Sequence, residues 1–282
     1  MRRNYLLFLC LVGVTALTAC NTSDDAAIAA AMEDVNAIDE AGLNHLMLDA
    51  ADPEEAVAYF QRTAAQHPDR IDVLRGLGKS LVRAQRPGDA VGVWQRVVAH
   101  PEATNEDSVS LADAMIRDNQ WEGAESILNS IPPTHETYDR YRLEAMIADS
   151  NQDWDRADSF YATAAELTTQ PASVLNNWGY SLLTRGSYAE AEDMFRRALR
   201  FDESNFTTKN NLVLARAAQR QYDLPVVRMT QIERAHLLHT MALAAIRQGD
   251  LVMGKTLLED AIATHPQHFD AAVRALEALE AG

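Results

Sequence analysis

Cysteine is nearly absent. The 282 residues hold two, Cys10 and Cys20, both within the first twenty positions, so nothing beyond them can form a disulfide or a thiolate metal site. Glycine (12) and proline (9) are also scarce, together well under the roughly 12% of average usage. A sandwich or barrel turns at short intervals and needs more of both. Basic residues fall short of acidic ones, 25 against 41, for a net charge of −16; such a field repels phosphate backbones and argues against a nucleic-acid partner. The chief apolar run, residues 5–16, is shorter than the roughly 20 residues that cross a bilayer. No Walker loop, dinucleotide fingerprint, G-x-S-x-G or H-E-x-x-H occurs, which removes those catalytic arrangements.

What remains is alanine and an apolar fraction large enough for a core. Alanine is 46 of 282 residues and hydrophobic residues are 47%, which excludes disorder along the whole chain and points to closely packed helices.

The first segment is an address. Arg2 and Arg3 form a short basic region, the apolar run follows, and Leu17-Thr18-Ala19-Cys20 closes it. That ending resembles a bacterial lipobox. The resemblance implies cleavage between Ala19 and Cys20, with Cys20 carrying the lipid and a mature charge of −18. An ordinary secretory signal or an uncleaved anchor is the other reading. Asn21 resembles an outer-membrane sorting signal, facing the periplasm of a Gram-negative envelope. Residues 1–19 are thus expected to be a signal peptide and 20–36 a lipidated tether.

From there a 34-residue period runs on. The clearest unit, 172–205, has Leu175, Trp178, Gly179 and Leu182 in one helical run, Gly186-Ser187-Tyr188 as a turn, then Ala191, Phe195, Ala198 and Leu199. The marks recur from about 37, 71, 105, 138, 172 and 206, with a last unit from about 235. This resembles the tetratricopeptide repeat, in which small residues at places 8, 20 and 27 let the helices of a pair approach. The resemblance implies an all-α, right-handed solenoid of about six to seven helix pairs over 37–267. The register breaks once, at Asp223-Leu224-Pro225-Val226-Val227, where proline and β-branched residues predict an extended strap over 222–229 that is a lid, a docking strand or a connector. Thr230 and Glu233 then form a capping box for the next helix. Residues 268–282 are expected to cap the stack, with Ala272, Leu276 and Leu279 on one face.

Two histidine pairs, His236/His239 and His265/His268, have ligand-like spacing but no evident third ligand. No catalytic residue, cofactor, metal or small-molecule substrate is expected. In the family, partners bind the concave face, formed by places 2, 5, 9, 12 and 13 of each first helix. Arg75, Lys79 and Arg83 stand there at i, i+4 and i+8, a basic row in an acidic chain that either grips a carboxylate or is a solvated face. Arg142, Asn176, Tyr180 and Asn210 share the inner places of later repeats; Asn176 and Asn210 either bond the backbone of an extended peptide or are the Asn-Asn pairs common before Leu or Trp in such repeats.

The lipobox, the uninterrupted repeats, Leu-Pro-Val-Val-Arg-Met-Thr at 224–230 and Ala-Thr-His-Pro-Gln-His-Phe at 263–269 together resemble the TadD family, the repeat lipoproteins of the tight-adherence (Flp) pilus system. The resemblance implies an outer-membrane lipoprotein that aids assembly or localisation of the pilus secretin. A general envelope adaptor recruiting peptidoglycan hydrolases or proteases is the alternative.

Overall fold

The computed structural model describes residues 42–281, and every regular element among them is an α-helix. The signal region, Ala19, Cys20, the tether and the repeat start at 37 lie outside the described residues. The chain divides after Asp107 into two compact units.

The first unit holds α1 (42–49), α2 (Pro53–Gln66), α3 (Ile71–Arg83), α4 (Pro87–Val98) and the start of α5 (Asn105–Arg117). Asp52 caps α2 by accepting the Glu54 N–H at 3.0 Å, with Pro53 in the first turn where its missing donor costs nothing. Close approach fixes the pairing. A Cβ at Gly76 would lie 2.3 Å from the Phe60 ring, and one at Gly78 would lie 2.6 Å from the Trp94 indole. Both rings are buried. Glycine is therefore the hole into which each aromatic fits.

The second unit continues with α6 (Trp121–Ser130), α7 (Tyr138–Ser150), α8 (Trp154–Glu166), α9 (Ala172–Thr184), α10 (Tyr188–Phe201), α11 (Phe206–Ala218), α12 (Gln231–Arg247), α13 (Leu251–Thr264) and α14 (Asp270–Ala281). Its buried alanines sit where helices touch: Ala124, Ala157 and Ala191 are fully buried at place 20, as is Ala145 at place 8. Gly179 repeats the wedge seen in the first unit, with its absent Cβ 2.7 Å from Phe195.

The repeat is also written in the backbone. Counting from 71, 105, 138, 172, 206 and 235, place 15 has positive φ every time: Gln85 (57°), Asn119 (61°), Gln152 (60°), Gly186 (90°), Arg220 (60°) and Gly249 (82°). The following amide donates to the carbonyl five residues back, as in Arg86 to Leu81 (2.9 Å), Asp153 to Ala148 (2.9 Å) and Asp250 to Ala245 (3.0 Å). This is a Schellman closure of each first helix, and it satisfies carbonyls that the helix end would orphan.

The strap has no helix, and the second helix of that repeat is missing. Buried Arg216 pins it, donating to the Asp223 carboxylate (2.6 Å) and the Asp223 carbonyl (3.3 Å). Tyr222, Leu224 and Met229 pack on the core of α11–α14, while Val227 packs on the core of α9–α11. The capping box forms: Thr230 Oγ1 accepts from the Glu233 N–H (3.1 Å), and Glu233 accepts from the Thr230 N–H (2.7 Å). Ala272, Ala275, Leu276 and Leu279 of α14 lie on the last core.

Candidate functional site

An open groove of about 600 Å³ runs along the inner places of the second unit. First helices supply most of its wall: Met146, Asp149 and Ser150 from α7, Asn176, Asn177, Tyr180, Ser181 and Thr184 from α9, Thr207 and Asn211 from α11. Trp121 and Trp154, which begin α6 and α8, add two indoles, and Tyr161 of α8 closes the wall.

The floor is a polar network. Tyr161 donates its hydroxyl to one oxygen of Asp149 (2.6 Å), and Ser181 donates to the other (2.6 Å). Burial, followed by the Asp149 hydrogen bond, pushes the Tyr161 hydroxyl well above the ordinary tyrosine range, so it stays a donor. Further along, Asn176 Oδ1 accepts from Thr208 (3.1 Å) and Asn211 (3.1 Å), which orients the Asn176 amide. Tyr180 is 54% exposed.

The sequence-predicted residues divide. Asn176 and Tyr180 line the groove. Arg142 stands beside it as a strut: its guanidinium bonds Asp113 at 2.9 Å, and Asp113 also takes Arg117 at 2.6 Å. Burial works against the Asp113 charge, but the two guanidinium groups outweigh it and hold the carboxyl below its usual range. Asn210 accepts from Thr240 (2.8 Å), tying α11 to α12.

The basic row of the first unit is not a row of free cations. Arg75 grips Asp107 with two bonds of 2.7 Å, and Asp107, its side chain 5% exposed, also accepts from the Thr104 N–H (2.8 Å). Burial opposes the Asp107 charge, yet Arg75 and Thr104 together keep its carboxyl below the ordinary value. Arg83 donates to the carbonyls of Met47 and Leu48, at the end of α1, and of Ala51 in the turn after it. Lys79 is exposed and makes no ion pair among the described residues. Internal carboxylate and carbonyl groups thus occupy the two guanidiniums that the spacing offered to a partner.

Spacing puts Asp149 at place 12 of its repeat's first helix, an inner place, without assigning it a partner, and marks Trp121 and Trp154 only as repeat positions. The two tryptophans share place 17, the first residue of a second helix, and that recurrence was the signal. Around Phe269, three histidine rings gather: His236 at 4.8 Å between centroids, His265 at 4.9 Å and His239 at 5.4 Å. Burial, then the neighbouring His236, lowers the pKa of His239. Among the described residues, no three His, Cys, Asp or Glu side chains converge as metal ligands.

The tetratricopeptide-repeat model matches residues 45–131 and 142–206. The chain belongs to the tetratricopeptide-repeat family, whose members generally mediate protein–protein interactions on a typically non-enzymatic fold. No curated protein matches it in sequence. Among solved structures it is similar to a chain of the APC/C hetero-tetramer Cut9-Hcn1 (TM-score 0.60, 13% identity, 84% of this chain and 48% of that one). It is also similar to a tetratricopeptide repeat protein from Parabacteroides merdae (0.55, 12%, 85% and 96%). A third is the C-terminal part of a repeat-containing protein from Cytophaga hutchinsonii (0.52, 14%, 81% and 96%). The chain spans about half the length of the first of these. At such identities the likeness is one of fold.

Proposed function

We propose that this protein is a non-enzymatic adaptor that holds an extended segment of a partner protein in the groove of its second unit. One observation carries that reading: the groove is open and, among the described residues, is lined mostly by indole, phenol, amide and hydroxyl groups with a single carboxylate. Indole and phenol rings give large contact area at low entropic cost, and amides bond a peptide backbone.

The particular role is an outer-membrane lipoprotein of tight-adherence pilus assembly, acting on the secretin. Support comes from the lipobox ending in Cys20 and from the segments 224–230 and 263–269. The test is deletion of the gene, followed by detection of heat-resistant secretin multimers in outer-membrane fractions, together with pull-down on the tagged chain. Loss of multimers and recovery of secretin subunits is the expected result. Normal multimers, with recovery of peptidoglycan hydrolases alone, would replace the pilus role by general envelope recruitment.

A further inference from the structure

Among the described side chains that line the groove, Asp149 alone carries a formal charge, and no lysine or arginine lines it. Its two partners are neutral hydroxyls, Tyr161 and Ser181, one on each oxygen. Each carboxylate oxygen keeps a further lone pair. The nearby cations are committed elsewhere. Arg142 bonds Asp113 and lies 3.5 Å from Asp139, while Arg185 holds both oxygens of Asp158 (2.6 and 2.7 Å). Arg185 also lies 5.6 Å from the centre of the Trp154 ring, so one groove indole already carries a cation of this chain. A half-buried, uncompensated carboxylate beside indole and phenol rings is the arrangement that attracts a cation.

We propose that the groove selects a partner segment with a basic side chain, arginine or lysine, seated at Asp149 between Trp121, Trp154 and Tyr180. The proposal rests on the groove reading above and adds its charge selectivity. That selectivity is opposite in sign to what the row Arg75, Lys79, Arg83 offers in the sequence. The groove disfavours a carboxylate, because bringing a second negative charge to Asp149 meets no lining cation.

The test uses three labelled octapeptides, glutamine- and leucine-based, identical except for a central arginine, citrulline or glutamate. Affinity is read by anisotropy, and occupancy by the indole resonances of Trp121 and Trp154. The expected result is about tenfold tighter binding of the arginine peptide than of its neutral isostere, with glutamate weakest. The arginine preference weakens in high salt. In Asp149→Asn the arginine and citrulline peptides bind within about twofold of each other. Equal affinity for arginine and citrulline on the unaltered chain, or a preference for glutamate, overturns the proposal and keeps the groove. This comparison needs no variant to fold. If no peptide moves the two indole resonances, the groove reading fails and the charge proposal falls with it.

Discussion

One substitution, glycine to alanine, should have three different outcomes in this chain, and the structure supplies the sign of each. At Gly186 the backbone is left-handed, φ 90°, and an added Cβ would meet no heavy atom within 4 Å. The effect there is purely conformational. An L-residue forced into that region costs about 1–2 kcal/mol, partly offset by the roughly 0.4–1 kcal/mol that alanine saves by restricting the unfolded chain. Gly186→Ala should therefore destabilise by about 1 kcal/mol. Gly92 is exposed inside α4, with equally open space around its Cα but helical backbone. Only the propensity difference acts there, and Gly92→Ala should stabilise by about 0.5–1 kcal/mol. At Gly179 the new Cβ would lie 2.7 Å from the buried Phe195 ring. The ring is held by the α9–α11 core and has little room to retreat, so Gly179→Ala should destabilise by about 1–3 kcal/mol. Urea unfolding followed by far-ultraviolet circular dichroism measures all three, with the midpoint shift read at constant slope. A neutral or stabilising Gly186→Ala would refute the argument that place 15 demands a left-handed residue. The reciprocal, Gln152→Gly at φ 60°, should stabilise by up to about 0.5 kcal/mol, and the absence of any gain there would count against the same demand.

Arg75→Ala strands the nearly buried Asp107 and should cost about 2 kcal/mol, whereas Lys79→Glu, on an exposed side chain, should stay within about 0.5 kcal/mol; chemical unfolding of the two variants checks the contrast. Asp107, Asp113 and Glu192 all have lowered pKa values in the folded chain. Their contribution is fully present above the unfolded carboxylate values near 4 and is lost as pH falls through the folded ones. The urea midpoint should accordingly hold from neutral pH to about 5 and drop below about 4, with a shallower drop in Asp113→Asn. Tyr180→Ala removes an exposed ring and should leave the melting temperature nearly unchanged while abolishing partner capture in a pull-down. Cys20→Ala should move the protein from the membrane to the soluble fraction on flotation, and a variant that still floats would sink the lipid-anchor reading.

The helices were legible because their cause is local. Alanine and glycine recur every 34 residues wherever two helices touch, and α3, α5, α7, α9 and α11 begin at 71, 105, 138, 172 and 206. The left-handed residue at place 15 was not legible, since glycine stands there in two repeats and Gln85, Asn119, Gln152 and Arg220 stand in the others. The Schellman bond holds the backbone of all four left-handed, which the identity of asparagine allows but that of Gln85, Gln152 and Arg220 would not suggest. Proline and paired valines marked the strap, but its attachment depends on Arg216, whose partner Asp223 is seven residues away across a turn.

Charge was the least legible property, and the reason is physical. Spacing places a cation on a helix face but does not say what stands opposite it. Arg75 finds Asp107 thirty-two residues on, at the start of the next repeat's first helix, and Arg83 finds carbonyls at the end of α1 and in the turn after it. Both are neutralised or satisfied before a partner arrives. Asp149 has the opposite history. It looks like one acid among 41 acidic residues, yet the fold surrounds it with hydroxyl donors and indoles rather than with a guanidinium. A charge becomes a recognition element only where the fold leaves it uncompensated. In this chain that condition favours Asp149 in the groove over Arg75 and Arg83 of the basic row.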